Sequence, residues 1–175
     1  MNSDFGPLLV RWLCHDMATP IASVMTASDL LSEEPDVEIN ELVQHGTRRL
    51  AGRLRLLRLA LGGSEGGADG AALASIVRDG LDGVPVDWQR MAAGQAVVVA
   101  GAALLLADLN RNRPLLVADT SVTYDRDVTL PPAVEAALAG AAPVCTRSAV
   151  AAMLGVHAGR AGVSLAVLGN GIGWA

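Results

Sequence analysis

Leu13-Cys14-His15-Asp16-Met17-Ala18-Thr19-Pro20-Ile21 sits inside the first long helical pattern of the chain, and its reading decides the fold. A proline in a helix interior removes one backbone hydrogen bond and costs about 3 kcal/mol or more. Here it frees the carbonyl of Asp16, one residue past the histidine, and bends the helix beside a His-Asp pair. A lone histidine on a kinked helix is more often a core side chain. The full His-Asp-x-x-Thr-Pro string points to chemistry instead.

Outward from this box, apolar residues recur at helical spacing as Leu8, Leu9, Trp12 and Leu13, then Ile21, Val24 and Met25, and finally Leu30 and Leu31. Opened by Asp4 or Gly6-Pro7, this stripe predicts a helix of roughly 26 residues. His15, Thr19, Ala22 and Thr26 follow one another on a second, small and polar face. Such a face suits docking around a reactive side chain, and equally an ordinary solvated surface. Glu33-Glu34-Pro35-Asp36 breaks the pattern. A second helix starts near Asp36 and carries Ile39, Leu42, Val43, Leu50, Leu54, Leu57 and Leu61, close to a heptad.

Two long helices with a short turn make an antiparallel hairpin, in which residue i lies level with about 70 minus i. His15 is then level with Arg53 and Arg55. The cluster Arg48, Arg49, Arg53, Arg55 and Arg58 reads as a solvated helix face that would also attract acidic partners or a phosphoryl group. A hairpin cannot close a core alone, so its apolar flank predicts a homodimer built as a four-helix bundle.

Gly62 to Gly70 reads as a Gly-rich linker. It divides a helical hairpin at 1–62 from a smaller α/β unit at 71–175. In that unit the pattern predicts a short helix from Ala71 to about Leu81, a strand around Val84–Gln89 and a helix from about Met91 to Leu109. Strands follow at 115–119 and 121–124, with helices over Pro131–Leu138 and Arg147–His157, the last ending at Gly159. A terminal hairpin turns at Gly169-Asn170-Gly171. The run Ala96–Ala107 is apolar throughout but far short of the ~20 residues of a membrane span. It is therefore a helix buried on all sides. His157 falls near a helix end, where a cation or a core histidine fits.

All 13 basic residues are arginine. Without lysine there is no Walker-type phosphate loop, no Schiff base and no kinase strand lysine. The net charge of -5 argues against nucleic acid as the main partner. Two cysteines and three histidines offer little for a metal site. The N-terminus lacks a signal-peptide layout, so the expected setting is cytoplasmic, off the membrane. Gly169-Asn170-Gly171-Ile172-Gly173 has glycine spacing, but Trp174 and Ala175 are too short a tail to form the helix a nucleotide loop requires.

The box at Leu13–Ile21 resembles the phosphoacceptor box of dimeric sensor histidine kinases, His-Glu/Asp-x-x-Thr/Asn-Pro. The kinase ATP-binding boxes have no counterpart: the helix at 95–109 offers no Asn before Asn110, and no Asp-x-Gly-x-Gly occurs. With its Cys-His-Asp start, the chain is similar instead to ChpT-type histidine phosphotransferases. That resemblance implies an α plus α/β fold: a dimeric four-helix bundle followed by a degenerate ATP-binding-like domain. It also implies a carrier in a bacterial phosphorelay. His15 would take a phosphoryl group from a receiver-domain aspartate of a hybrid kinase and return it to a response regulator, without ATP. Asp16 would assist proton handling, Thr19 would line the docking face, and Pro20 would set the bend. Arg11, Ala22, Arg53 and Arg55 are candidate contacts to partner or phosphoryl group. No cofactor is expected in this chain; Mg²⁺ would come with the receiver. A catalytically silent module that binds receivers or kinases through the same face is the alternative, and a nucleotide-binding regulator is a weaker third.

Overall fold

The computed structural model describes residues 5–31, 37–63, 70–89 and 95–175. Among them are six helices and a five-stranded sheet, a mixed α+β architecture. The helices are α1 (Gly6–Leu31), α2 (Val37–Ala60), α3 (Gly70–Gly80), α4 (Ala96–Leu109), α5 (Pro132–Leu138) and α6 (Thr146–Arg160). The strands are β1 (Val86–Trp88), β2 (Leu115–Ala118), β3 (Ser121–Tyr124), β4 (Leu165–Leu168) and β5 (Gly171–Trp174). The expected helix break at 33–36, most of the Gly-rich linker (64–69) and the expected start of the buried helix (residues 91–94) lie outside the described residues.

α1 runs unbroken for 26 residues with Pro20 in its interior. The two long helices meet as an antiparallel pair in the expected register. Asp16 faces Arg53, and a Cβ on Gly46 would stand 3.0 Å from Val24 Cγ2. The hairpin buries mainly its base, with Ala27 buried farther out. Trp12 of α1 and Leu56, Leu57, Leu59 and Ala60 of α2 join the same buried cluster as α4. Farther out, Ile21, Met25, Leu30 and Leu42 are exposed, as is Leu54 on another side of α2. At its C-terminus α2 closes through Gly62. Its φ of +82° suits a residue without a Cβ. Gly62 N–H donates to Leu59 O and Gly63 N–H to Arg58 O, satisfying two end carbonyls.

The sheet order is β1-β2-β3-β5-β4, with β1 and β2 parallel and every other pair antiparallel. α4 packs on β2 and β3 with one side and on α2 and α6 with others. That is why its sequence is apolar all round: every residue from Val98 to Ala107 is buried. Gly101 admits Leu154 of α6, whose Cδ1 would lie 3.0 Å from a Cβ there. Tyr124 of β3 donates its hydroxyl to Leu106 O of α4 at 2.6 Å. Burial pushes its phenol up to about 12, a neighbouring Asp108 adding to this against the opposing charges of Arg113 and Arg147. The group therefore stays a donor across the physiological range.

Three local expectations are corrected. α6 continues past Gly159 to Arg160 and stops at Gly162 (φ +73°), because Val163 N–H can then reach Ala158 O. The terminal hairpin turns on Gly169-Asn170 alone, since Gly171 already pairs with Leu168. Neither loop residue has positive φ, so the primed turns common in such hairpins are not used. Asn170 instead ties the loop to β3, accepting from Tyr124 N–H and donating from Nδ2 to Tyr124 O. Finally, His157 does not sit as a favoured cation. Burial, with Arg160 nearby, pushes its imidazole below the ordinary value. Among the described residues no helix is long and apolar enough to cross a membrane.

Candidate functional site

Successive residues on a helix are turned by about 100°, so His15 and Asp16 face different surroundings. His15 is exposed and lines a cleft of about 450 Å³ between the hairpin and the α/β layer. Asp16 is buried, its side chain 3% exposed. Its carboxylate accepts two hydrogen bonds from Arg53 of α2, Nε to Oδ2 at 2.7 Å and Nη2 to Oδ1 at 2.5 Å. This is a fork-to-fork pair, the strong form of a charged hydrogen bond. The partner that Asp16 meets is thus Arg53, across the hairpin.

Arg53 also donates from Nη1 to Gly80 O at 3.1 Å, which ties the end of α3 to the same pair. Two glycines allow that approach. A Cβ on Gly52 would stand 2.5 Å from Asp79 O, and one on Gly80 would collide with Leu56 Cβ. The absence of side chains brings the α3 carbonyl within reach of an arginine on α2. One buried pair thereby fixes α1, α2 and α3 relative to one another beneath His15.

The remaining wall of the cleft is charged. Arg49, one turn before Arg53, pairs with Asp82 after α3. Arg147, in the first turn of α6, donates from Nε to Asp108 Oδ2 at 3.2 Å and from Nη2 to Asp108 O at 3.4 Å. Arg111, in the turn after α4, stands 3.7 Å from Asp16 Oδ1. Four arginines and three aspartates thus line the cleft with His15, Thr19, Pro20 and Ser23, while Leu81, Val84 and Ala107 are among its apolar floor. A shallower groove continues along α1 past Ala18, Thr19, Ala22 and Thr26, with Leu42 opposite. Thr19 belongs to both, and its carbonyl accepts from Ser23 Oγ at 3.0 Å.

Of the sequence-derived candidates, the fold brings His15, Asp16, Thr19, Pro20 and Arg53 to one cleft, with Ala22 in the adjoining groove. Arg11 and Arg55 do not line it; both are exposed elsewhere on their helices. Arg55 is two residues from Arg53, so helical geometry turns it to another side of α2. Sequence reasoning missed Arg111, Arg147, Asp82 and Asp108. Each sits at or beyond a helix end, brought in by tertiary packing that leaves no local signal. Arg49 was legible, since positions four apart share a helix face. Among the described residues no group of three or more His, Cys, Asp or Glu side chains could hold a metal ion.

No family model matches the chain, and no curated protein matches it. It does resemble a solved structure, that of a bacterial phosphotransferase. The TM-score is 0.69 at 22% identity, over 99% of this chain and 96% of that one. At this level of identity the likeness speaks for the fold.

Proposed function

We propose that the protein is a histidine phosphotransferase of the ChpT type, carrying a phosphoryl group on His15 between receiver-domain aspartates of a phosphorelay. The observation that carries this reading is the placement of His15. It is an exposed imidazole five residues before the proline inside α1, at the mouth of a cleft lined by four arginines. A neutral imidazole nitrogen is a competent nucleophile near neutral pH. Phosphoryl transfer otherwise asks mainly for in-line positioning and neutralisation of charge, and the cleft carries one more arginine than aspartate. The resemblance in fold to a bacterial phosphotransferase along nearly the whole chain is in keeping with this reading.

In this scheme residues 1–62 are the phosphotransfer and dimerisation unit, and 71–175 a degenerate ATP-binding-like domain that binds no ATP. The exposed Ile21, Met25 and Leu54 face a second copy in a four-helix bundle. The groove of small residues along α1 receives the partner's receiver domain, which brings its own aspartate and Mg²⁺. The protein works in the cytoplasm. Asp16, held by Arg53, sets the level at which His15 is presented.

Incubation with a panel of phosphorylated receiver domains tests this. A phosphoryl label that is acid-labile, maps to His15 and vanishes in His15→Ala is the expected result. A His15→Ala protein that retains the cellular activity favours the silent binding module, and one that still carries label moves the phosphoryl group to another residue.

A further inference from the structure

We infer that Arg111 is the residue with which the α/β layer serves the phosphoryl group on His15. This rests on the carrier reading above and deepens it. Three of the four cleft arginines are committed. Arg53 is bound to Asp16, Arg49 to Asp82 and Arg147 to Asp108. Three aspartates thereby balance three guanidinium groups. Arg111 is the surplus. Its contact with Asp16 is 3.7 Å, longer than a hydrogen bond, and that carboxylate already has both oxygens engaged by Arg53. The Arg111 side chain is 67% exposed.

Its mount is firm although its head is held, among the described residues, only by the 3.7 Å contact with Asp16. The turn that carries it follows α4, the most deeply buried helix. Asn110 N–H closes α4 on Leu106 O, Arg113 pairs with Asp125, and Pro114 leads directly into β2. A guanidinium held on such a turn, beside the neighbour of His15, can swing from Asp16 to an incoming dianion at small entropic cost. Its planar fork matches two phosphoryl oxygens.

The step it serves balances as follows. The lone pair of the unprotonated ring nitrogen of His15 forms the N–P bond. The P–O bond to the receiver aspartate breaks, and its electron pair leaves on the carboxylate. The proton on the other ring nitrogen stays there. Arg111 makes and breaks no covalent bond. It holds equatorial phosphoryl oxygens while charge spreads over them, and then neutralises the phosphohistidine. The α/β layer, without ATP, would thus be kept for the arginine it delivers.

The test uses the full chain phosphorylated with phosphoramidate, followed by phosphorus NMR as a function of pH. An arginine on the phosphoryl oxygens favours the dianion. The resonance should therefore titrate at higher pH in Arg111→Ala than in the wild type, with Arg111→Lys between them. Single-turnover transfer to an unphosphorylated receiver should slow by about tenfold or more, with a smaller change in the half-saturating receiver concentration. Circular dichroism confirms that the variants fold, as the exposure of Arg111 leads one to expect. A titration and a transfer rate unmoved in Arg111→Ala overturn the role of Arg111 alone. A wild-type chain that takes no phosphoryl group on His15 overturns the carrier reading, and this role with it.

Discussion

Replacing Arg53 by alanine removes the one side chain that binds Asp16, Gly80 O and the underside of the His15 cleft together. The Asp16 side chain is 3% exposed and that of Arg53 14%, so the carboxylate is left buried with Arg111 at 3.7 Å as its remaining cation. Removing one partner of a buried ion pair costs about 3–5 kcal/mol. Water entering the enlarged cleft, and Arg111 moving in, return part of this. The expected loss is about 3 kcal/mol, or roughly 6–12 °C in Tm for a chain of this size. Asp16→Asn should cost less, about 1–3 kcal/mol, because the new amide oxygen still accepts from Arg53, which keeps Gly80 O and is nearer to solvent than Asp16. The double variant should therefore be more stable than the two single losses added, with a coupling of about 2 kcal/mol. Urea unfolding followed by far-UV circular dichroism, at one protein concentration throughout, reads all three. An Arg53→Ala protein within about 0.5 kcal/mol of wild type, or strictly additive losses, would refute the claim that this pair locks α1, α2 and α3.

Gly62→Ala places a Cβ where φ is +82° and where His157 Cε1 would be 2.6 Å away. It should cost about 1–2 kcal/mol, read as a lower urea midpoint at unchanged slope. Because burial holds the His157 imidazole below its ordinary value, the folded chain resists a proton that the unfolded chain accepts. Stability should be flat above the unfolded value near 6.5 and fall as the pH drops below it, whereas His157→Gln should lose that acid-side slope. Met25 and Ile21 are 61% and 42% exposed on the hairpin. Met25→Glu or Ile21→Glu should convert a dimer into monomers in sedimentation velocity, and a wild type that sediments as a monomer would remove the four-helix bundle.

The hairpin was legible because its signals are local and periodic. The apolar stripe sets the span of α1, and the facing register places Arg53 and Arg55 level with His15. The all-apolar run of α4 likewise announced burial on every side, though which elements surround it depends on pairing between distant segments. The sequence rule went wrong where level alone was used. Arg53 and Arg55 are nearly level on α2, but only Arg53 points at Asp16. Arg111, Arg147 and Asp108 were invisible for a different reason. They lie about 90 residues or more along the chain from His15, in a turn and at helix ends, and only the packing of α4 and α6 against the hairpin brings them to the cleft. Asp16 reads in sequence as the partner of its neighbour, yet burial and the approach at Gly52 and Gly80 direct it to Arg53 instead.

The central claim is that His15 exchanges phosphoryl groups with receiver aspartates and draws none from ATP. Its most direct measurement is a paired time course. The full chain is mixed with a phosphorylated receiver domain in one arm, and with radiolabelled ATP and Mg²⁺ in the other. The account predicts rapid acid-labile label on His15 in the first arm, returned to an unphosphorylated receiver when one is added, and none in the second. Label on His15 from ATP alone, or no label from any phosphorylated receiver, would contradict it.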